Sequence, residues 1–195
     1  GFQNHPAERI PLRARSLNPE EAQVYFDRGF AHDENGDRRG ITDYEKIVNE
    51  TWRYDSQEGK LYFHYDSAFL LAQLYRRLGR NLARAVELFR ALIGVSDEPQ
   101  LRWPLELALA DCLVADDDQE AAREILDELV HVIGDDQAFG HLRIAELRGE
   151  DAEYAERLGA LSEDQRAEWE RIQAGAALSK TLPEIVTAVS YRAGT

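Results

Sequence analysis

The sequence predicts an all-α fold, a solenoid of antiparallel helix pairs closed by capping helices at its C-terminal end. Three observations predict it. A unit built from a bulky residue, a small residue and a turn marked by glycine or aspartate recurs along the chain. Inside each unit the apolar residues fall at helical spacing. Helix start signals stand where the pattern begins and again where it ends.

The first unit is Tyr25-Phe-Asp-Arg-Gly-Phe-Ala-His-Asp-Glu-Asn-Gly-Asp37, followed by Asp43-Tyr-Glu-Lys-Ile-Val48. Gly29 is its small residue, Gly36-Asp37 its turn, and Gly40 with Tyr44 opens the second helix. The second unit runs from Ser67 to Ile93, with Ala72 small, Tyr75 three on, Gly79 at the turn, then Ala85 and Phe89. The third runs from Pro104 to Val130. It carries Ala110, Leu113, Ala122 and Leu126, and Asp117 stands where a turn glycine is expected. A fourth, about 138–159, is decayed, with Gly149-Glu150 as its turn and Ala155 as its small residue. Small residues let two helices approach closely. Turns this short leave only an antiparallel hairpin, and one hairpin cannot bury both its faces, so the pairs must stack.

The turn positions Gly36, Gly79, Asp117 and Gly149 lie 43, 38 and 32 residues apart. The long first interval holds an insertion, residues 53–65. With Trp52, Tyr54, Tyr62, Phe63 and Tyr65, this stretch is the richest in aromatics. It is expected to pack onto the stack, with a second partner site as the other reading. Alternation at Leu61, Phe63 and Tyr65 permits a short extended piece. Asn18-Pro19-Glu20-Glu21 reads as a helix start, and Ser162–Gln165 and Thr181–Glu184 as capping boxes for helices near 163–178 and 182–192. The organisation is therefore a loose arm (1–17), a repeat domain (18–160) and capping helices (161–195).

These units resemble the tetratricopeptide repeat, whose period is about 34 residues. The resemblance implies a right-handed solenoid and a protein–protein interaction role. It also implies that the first helix of each pair lines a concave groove. The groove positions it assigns include Phe26 and Phe30 in the first unit, Phe69, Gln73, Arg76 and Arg77 in the second, and Leu107 and Asp111 in the third. Phe26, Phe30, Phe69 and Leu107 would form an apolar strip, with Arg76 and Arg77 as a basic spot. That suits a peptide or protein segment with apolar anchors and an acidic group. Self-covering of these aromatics by the arm or the insertion is the competing reading. The lysines, asparagines and arginine with which well-known members grip a C-terminal carboxylate are replaced here by Gln23, Asp27, Leu70, Pro104 and Ala108. Binding of chaperone tails is not expected.

Composition narrows the function further. The net charge is −14 with 31% charged residues, which disfavours nucleic acid and anionic membrane as partners. Solubility accounts for the acidity, and a preference for basic partners is the sharper reading. No apolar run approaches the ~20 residues of a membrane span. Cys112 is the single cysteine, so the fold does not depend on an internal disulfide. A cytoplasmic location is favoured, and an exported one stays open if an N-terminal signal was trimmed.

Chemistry-bearing motifs are weak. Asp33–Asp37 resembles the start of a calcium loop, but Arg38 and Tyr44 hold the places that need glycine and glutamate. Glu128 and His131 have the spacing of a carboxylate-bridged metal site, without the second copy such a site needs. No phosphate-cradling loop or nucleophile motif is present, and the surroundings of Cys112 are acidic. The sequence thus predicts an interaction module without catalytic residues, cofactor or metal. Self-association into a homodimer through the same apolar face is the alternative.

Overall fold

The turns set the architecture. In the computed structural model, which describes residues 17, 19–34, 38–50, 62–96 and 99–178, Gly79, Asp117 and Gly149 adopt left-handed backbone with φ of 57°, 66° and 70°. All three are turn positions expected from the sequence. Each stops one helix and lets the next fold back. At Asp117 and Gly149 the closure is the same: Asp118 N–H reaches the Leu113 carbonyl, and Glu150 N–H reaches that of Ala145, both at 2.9 Å. Each bond spans the five residues of a Schellman ending.

The helices among the described residues are α1 (Pro19–Glu34), α2 (Arg39–Glu50), α3 (Tyr62–Leu78), α4 (Leu82–Val95), α5 (Pro99–Ala115), α6 (Gln119–Val132), α7 (Ala138–Arg148), α8 (Asp151–Ala160) and α9 (Glu163–Leu178). No strand occurs among these residues. Neighbouring helices pack in chain order, as a helical-repeat fold requires. The chain divides into two compact units, Gly1–Tyr75 and Arg76–Thr195, with the boundary inside α3.

In the first unit α1 packs against α2. Gly29 and Gly40 make this possible. A Cβ on Gly40 would lie 2.9 Å from the Gly29 carbonyl oxygen, and one on Gly29 would lie 3.0 Å from the Tyr44 ring. Tyr44 and Ile47 are fully buried. Leu17, Ala22 and Ile47 form a cluster under Tyr25 and Phe26. Leu17, at the end of the expected arm, is buried, and its N–H donates to the Glu50 carbonyl at 3.2 Å. Tyr75, near the end of α3, donates its hydroxyl to Glu45 on α2 at 2.9 Å.

In the second unit α5 packs against α4, α6 and α7, and α7 against α6 and α8. The small and bulky repeat positions Ala85, Phe89, Ala110, Ala122 and Leu126 are at most 1% exposed. Each large side chain so buried contributes roughly 1.5–3 kcal/mol. Leu107, Ala110, Leu126, Leu129, Ile133 and Ile144 form one core across α5, α6 and α7. Trp169 and Ile172 of α9 join Leu142 and Leu161 in a cluster that also holds Phe139, Tyr154 and Leu158. The Trp169 indole donates to the Tyr154 hydroxyl at 3.0 Å. Ser162 and Gln165 exchange reciprocal capping bonds at 3.0 and 3.2 Å at the start of α9.

Three expectations are corrected. Phe63 and Tyr65 are helical and not extended, because α3 begins at Tyr62 and takes in the end of the 53–65 insertion. A lone extended piece leaves its backbone groups unpaired, whereas a helix pairs them internally. The third unit begins earlier than Pro104, since α5 starts at Pro99 with Pro104 inside it. Ala155 is exposed, and α8 has no buried residue, so half-buried Tyr154 and Leu158 do the packing instead. Asn18, Gly36-Asp37, Trp52, Tyr54, Thr181 and the helix expected near 182–192 lie outside the described residues.

Candidate partner-binding face

The first helix of each pair carries the residues singled out from the sequence, and the structure separates them by exposure. In the first unit Phe30 is 45% exposed on α1. Phe26, one helical turn back on the same face, is half-buried, with its ring 6.2 Å from that of Tyr44. Phe69 and Gln73 on α3 are buried, and Gln73 Nε2 has no hydrogen-bond partner among the described residues. The apolar strip expected from these residues thus reaches the surface at Phe30 and in part at Phe26.

In the second unit Leu107 is buried in the α5–α6–α7 core, where it meets the side chains that α6 and α7 bring. It supports the face from beneath. Arg76 and Asp111, expected as separate contact positions, form a pair. Arg76 donates Nε–H to the Asp111 carbonyl at 3.2 Å and Nη2–H to its Oδ1 at 2.8 Å. Arg143 of α7 donates to the same Oδ1 at 2.7 Å and, through Nη1, to Glu146 at 2.6 Å. Gln173 of α9 reaches Glu146 at 3.1 Å. Arg77 is half-buried.

This network of α3, α5, α7 and α9 has an electrostatic logic. Burial opposes the charge of Arg143, but Asp111 and then Glu146 more than offset it, so its pKa is raised. Asp111 is buried. Its charge is tolerable there because two guanidiniums meet it. Arg143, Glu146 and Gln173 escaped the sequence reading. The signal for Arg143 was available: it stands six residues before the turn residue Gly149, as Asp111 stands six before Asp117. The two occupy the same place in successive repeats.

The first unit holds a comparable arrangement. Arg28 grips buried Asp43 with both Nε and Nη2. Its guanidinium carbon lies 5.0 Å from the centre of the Tyr25 ring, and Lys46 Nζ lies 5.3 Å from that centre. These contacts join α1 to α2.

Cys112 is fully buried, and burial, reinforced by Asp111, pushes its thiol up to about 12. Glu128 and His131 are both exposed, with His131 in the last turn of α6. Among the described residues no three His, Cys, Asp or Glu gather as a metal site would require. No helix among them is long and apolar enough to cross a membrane.

The helix–turn–helix of α3 and α4 is where the chain resembles a known family. Residues 66–95 match the family model of the tetratricopeptide repeat. The match spans one helix pair, and over that stretch the chain is similar to the tetratricopeptide repeat family. The matched unit is the one with Ala72, Gly79, Ala85 and Phe89 at the small, turn and aromatic positions. No curated protein and no solved structure matches the chain. Tetratricopeptide repeats are generally protein–protein interaction units, and the match suggests that kind of module.

Proposed function

We propose that this protein is an adaptor or assembly factor of the tetratricopeptide repeat kind, which holds a peptide or protein segment against the first helices of its pairs and performs no catalysis. The carrying observation is the repeat at residues 66–95, whose first helix ends in Arg76-Arg77. In this reading Phe30 and Phe26 offer apolar contact on the first unit, and Arg76 and Arg77 offer polar contact on the second. Phe69, Gln73, Leu107 and Asp111 act from below, by holding the backbone and the Arg76 guanidinium in place.

A photo-crosslinking residue placed at Phe30 or at Arg77 tests this. One specific polypeptide should be captured from both positions and not from Glu124, which is exposed on α6. Equal capture at Glu124 would sink the reading. A second reading, self-association, is favoured by the exposure of Val24 and Phe30, 62% and 45%, on α1. Light scattering separates the two. A monomer near 22.2 kDa fits the adaptor, whereas a stable dimer that Phe30→Asp dissociates establishes the alternative.

A further inference from the structure

Charge is unevenly spread along this acidic chain. The segment from Arg76 to Ser96 carries Arg76, Arg77, Arg80, Arg84 and Arg90 against a single glutamate, Glu87, a net +4. Since the whole chain is −14, the remainder carries −18. The positive segment is the last turn of α3, the Gly79–Asn81 turn and α4, all in the second unit.

Structure removes part of that charge and leaves part available. Arg84 is paired with Glu87 at 3.2 Å. Arg80 and Arg90 are exposed. Arg76 is the informative residue. Its Nε and Nη2 are fixed on Asp111, which sets the plane of the guanidinium. Its Nη1 carries no hydrogen bond among the described residues, and 30% of the side chain is open to solvent. A guanidinium held by one edge loses little rotamer freedom when its other edge accepts a carboxylate.

We infer that the Arg76–Arg80 stretch of the second unit is a docking point for an acidic segment of a partner polypeptide, with Arg76 as its fixed anchor. This rests on the reading that the chain holds a polypeptide. A carboxylate-bearing segment matches both the fork geometry of arginine and the small size of the positive island. A nucleic acid fits worse. Its phosphates run on at one charge per ≈ 1.7 Å of duplex, far past an island of net +4 and into surroundings of −18. Arg76 and Arg77 also favour the C-terminal dipole of α3, a role that leaves the free edge of Arg76 unused.

Fluorescence anisotropy with a labelled oligoglutamate peptide tests the docking point. Wild-type protein should bind it, with affinity falling as salt rises. R76Q/R77Q/R80Q should weaken binding by roughly tenfold or more, and Lys46→Gln in the first unit should leave it unchanged. R77Q/R80Q, which keeps the Arg76–Asp111 pair, covers the case in which the triple variant folds poorly. It should retain part of the affinity. Equal binding by wild type and both arginine variants overturns the proposal, as does equally tight binding of an oligothymidylate of the same charge. Light scattering that shows a second copy displacing the peptide also overturns it. If crosslinking at Phe30 and Arg77 still captures a polypeptide from the triple variant, the docking point is wrong and the adaptor reading stands. If no polypeptide is captured from any position, both fall.

Discussion

Asp66 sits half-buried in α3, and burial pushes its carboxyl up to about 6. An acid whose folded pKa exceeds its unfolded value, about 3.9, binds its proton more tightly when folded. Its favourable contribution is full below about pH 4 and is lost as pH rises through about 6. Asp66→Asn should therefore raise stability at pH 7, by on the order of 1–2 kcal/mol given partial solvent access. The gap between variant and wild type should close toward pH 4. Denaturant melts at the two pH values measure it, and a gap that widens on acidification would refute the assignment. Cys112 gives the opposite kind of residue, one made inert. With its thiol buried and pushed up to about 12, it should react with a disulfide reagent on the timescale of unfolding, and promptly once denatured. Prompt reaction of the native protein would mean that the thiol is reached without unfolding.

At the scale of elements, the turns were legible and the long-range polar pairs were not. Gly79 and Gly149 announce themselves because left-handed backbone favours glycine, and Asp117 is among the few other residues that tolerate it. Asp117→Gly should therefore stabilise by about 0.5–1 kcal/mol, read as a higher denaturant midpoint. A fall would mean that the aspartate side chain matters more than its backbone strain. Gly29 and Gly40 were also legible as small positions, and their contact tells why. A methyl on Gly40 would press on the Gly29 carbonyl at 2.9 Å, a backbone atom that cannot step aside. Gly40→Ala should cost about 2 kcal/mol or more, and an unchanged melt would show that α1 and α2 shift apart freely. The Arg76–Asp111 pair joins residues 35 apart, and no local pattern encodes such a meeting. The burial of Leu107 has a related cause: whether a first-helix position faces solvent depends on the next pair, and here α6 and α7 bury it.

For the whole molecule, two electrostatic effects compete. Exposed ion pairs such as Arg102–Glu106, Arg157–Glu153 and Arg171–Glu168 favour the fold and weaken with salt, yet each is worth only about 0–1 kcal/mol. Against them stands the self-repulsion of a chain at −14, which salt relieves once the screening length falls to about 8 Å. The partly buried Arg76–Asp111–Arg143 network is screened much less, so it does not decide the sign. Repulsion acts among all the excess carboxylates at once, whereas each pair acts alone. Repulsion should therefore win, and raising salt from about 0.02 M to about 0.15 M should increase unfolding stability by on the order of 1 kcal/mol. Because the excess charge lies outside Arg76–Ser96, neutralising exposed acids such as Asp116 and Asp135 should raise low-salt stability. Neutralising Arg80 should lower it, by deepening the imbalance. Urea melts at the two salt concentrations, on wild type, D116N/D135N and R80Q, measure the three effects, urea being uncharged. A midpoint that falls with added salt would mean that specific pairs outweigh the net field, and the uneven charge would then say nothing about stability.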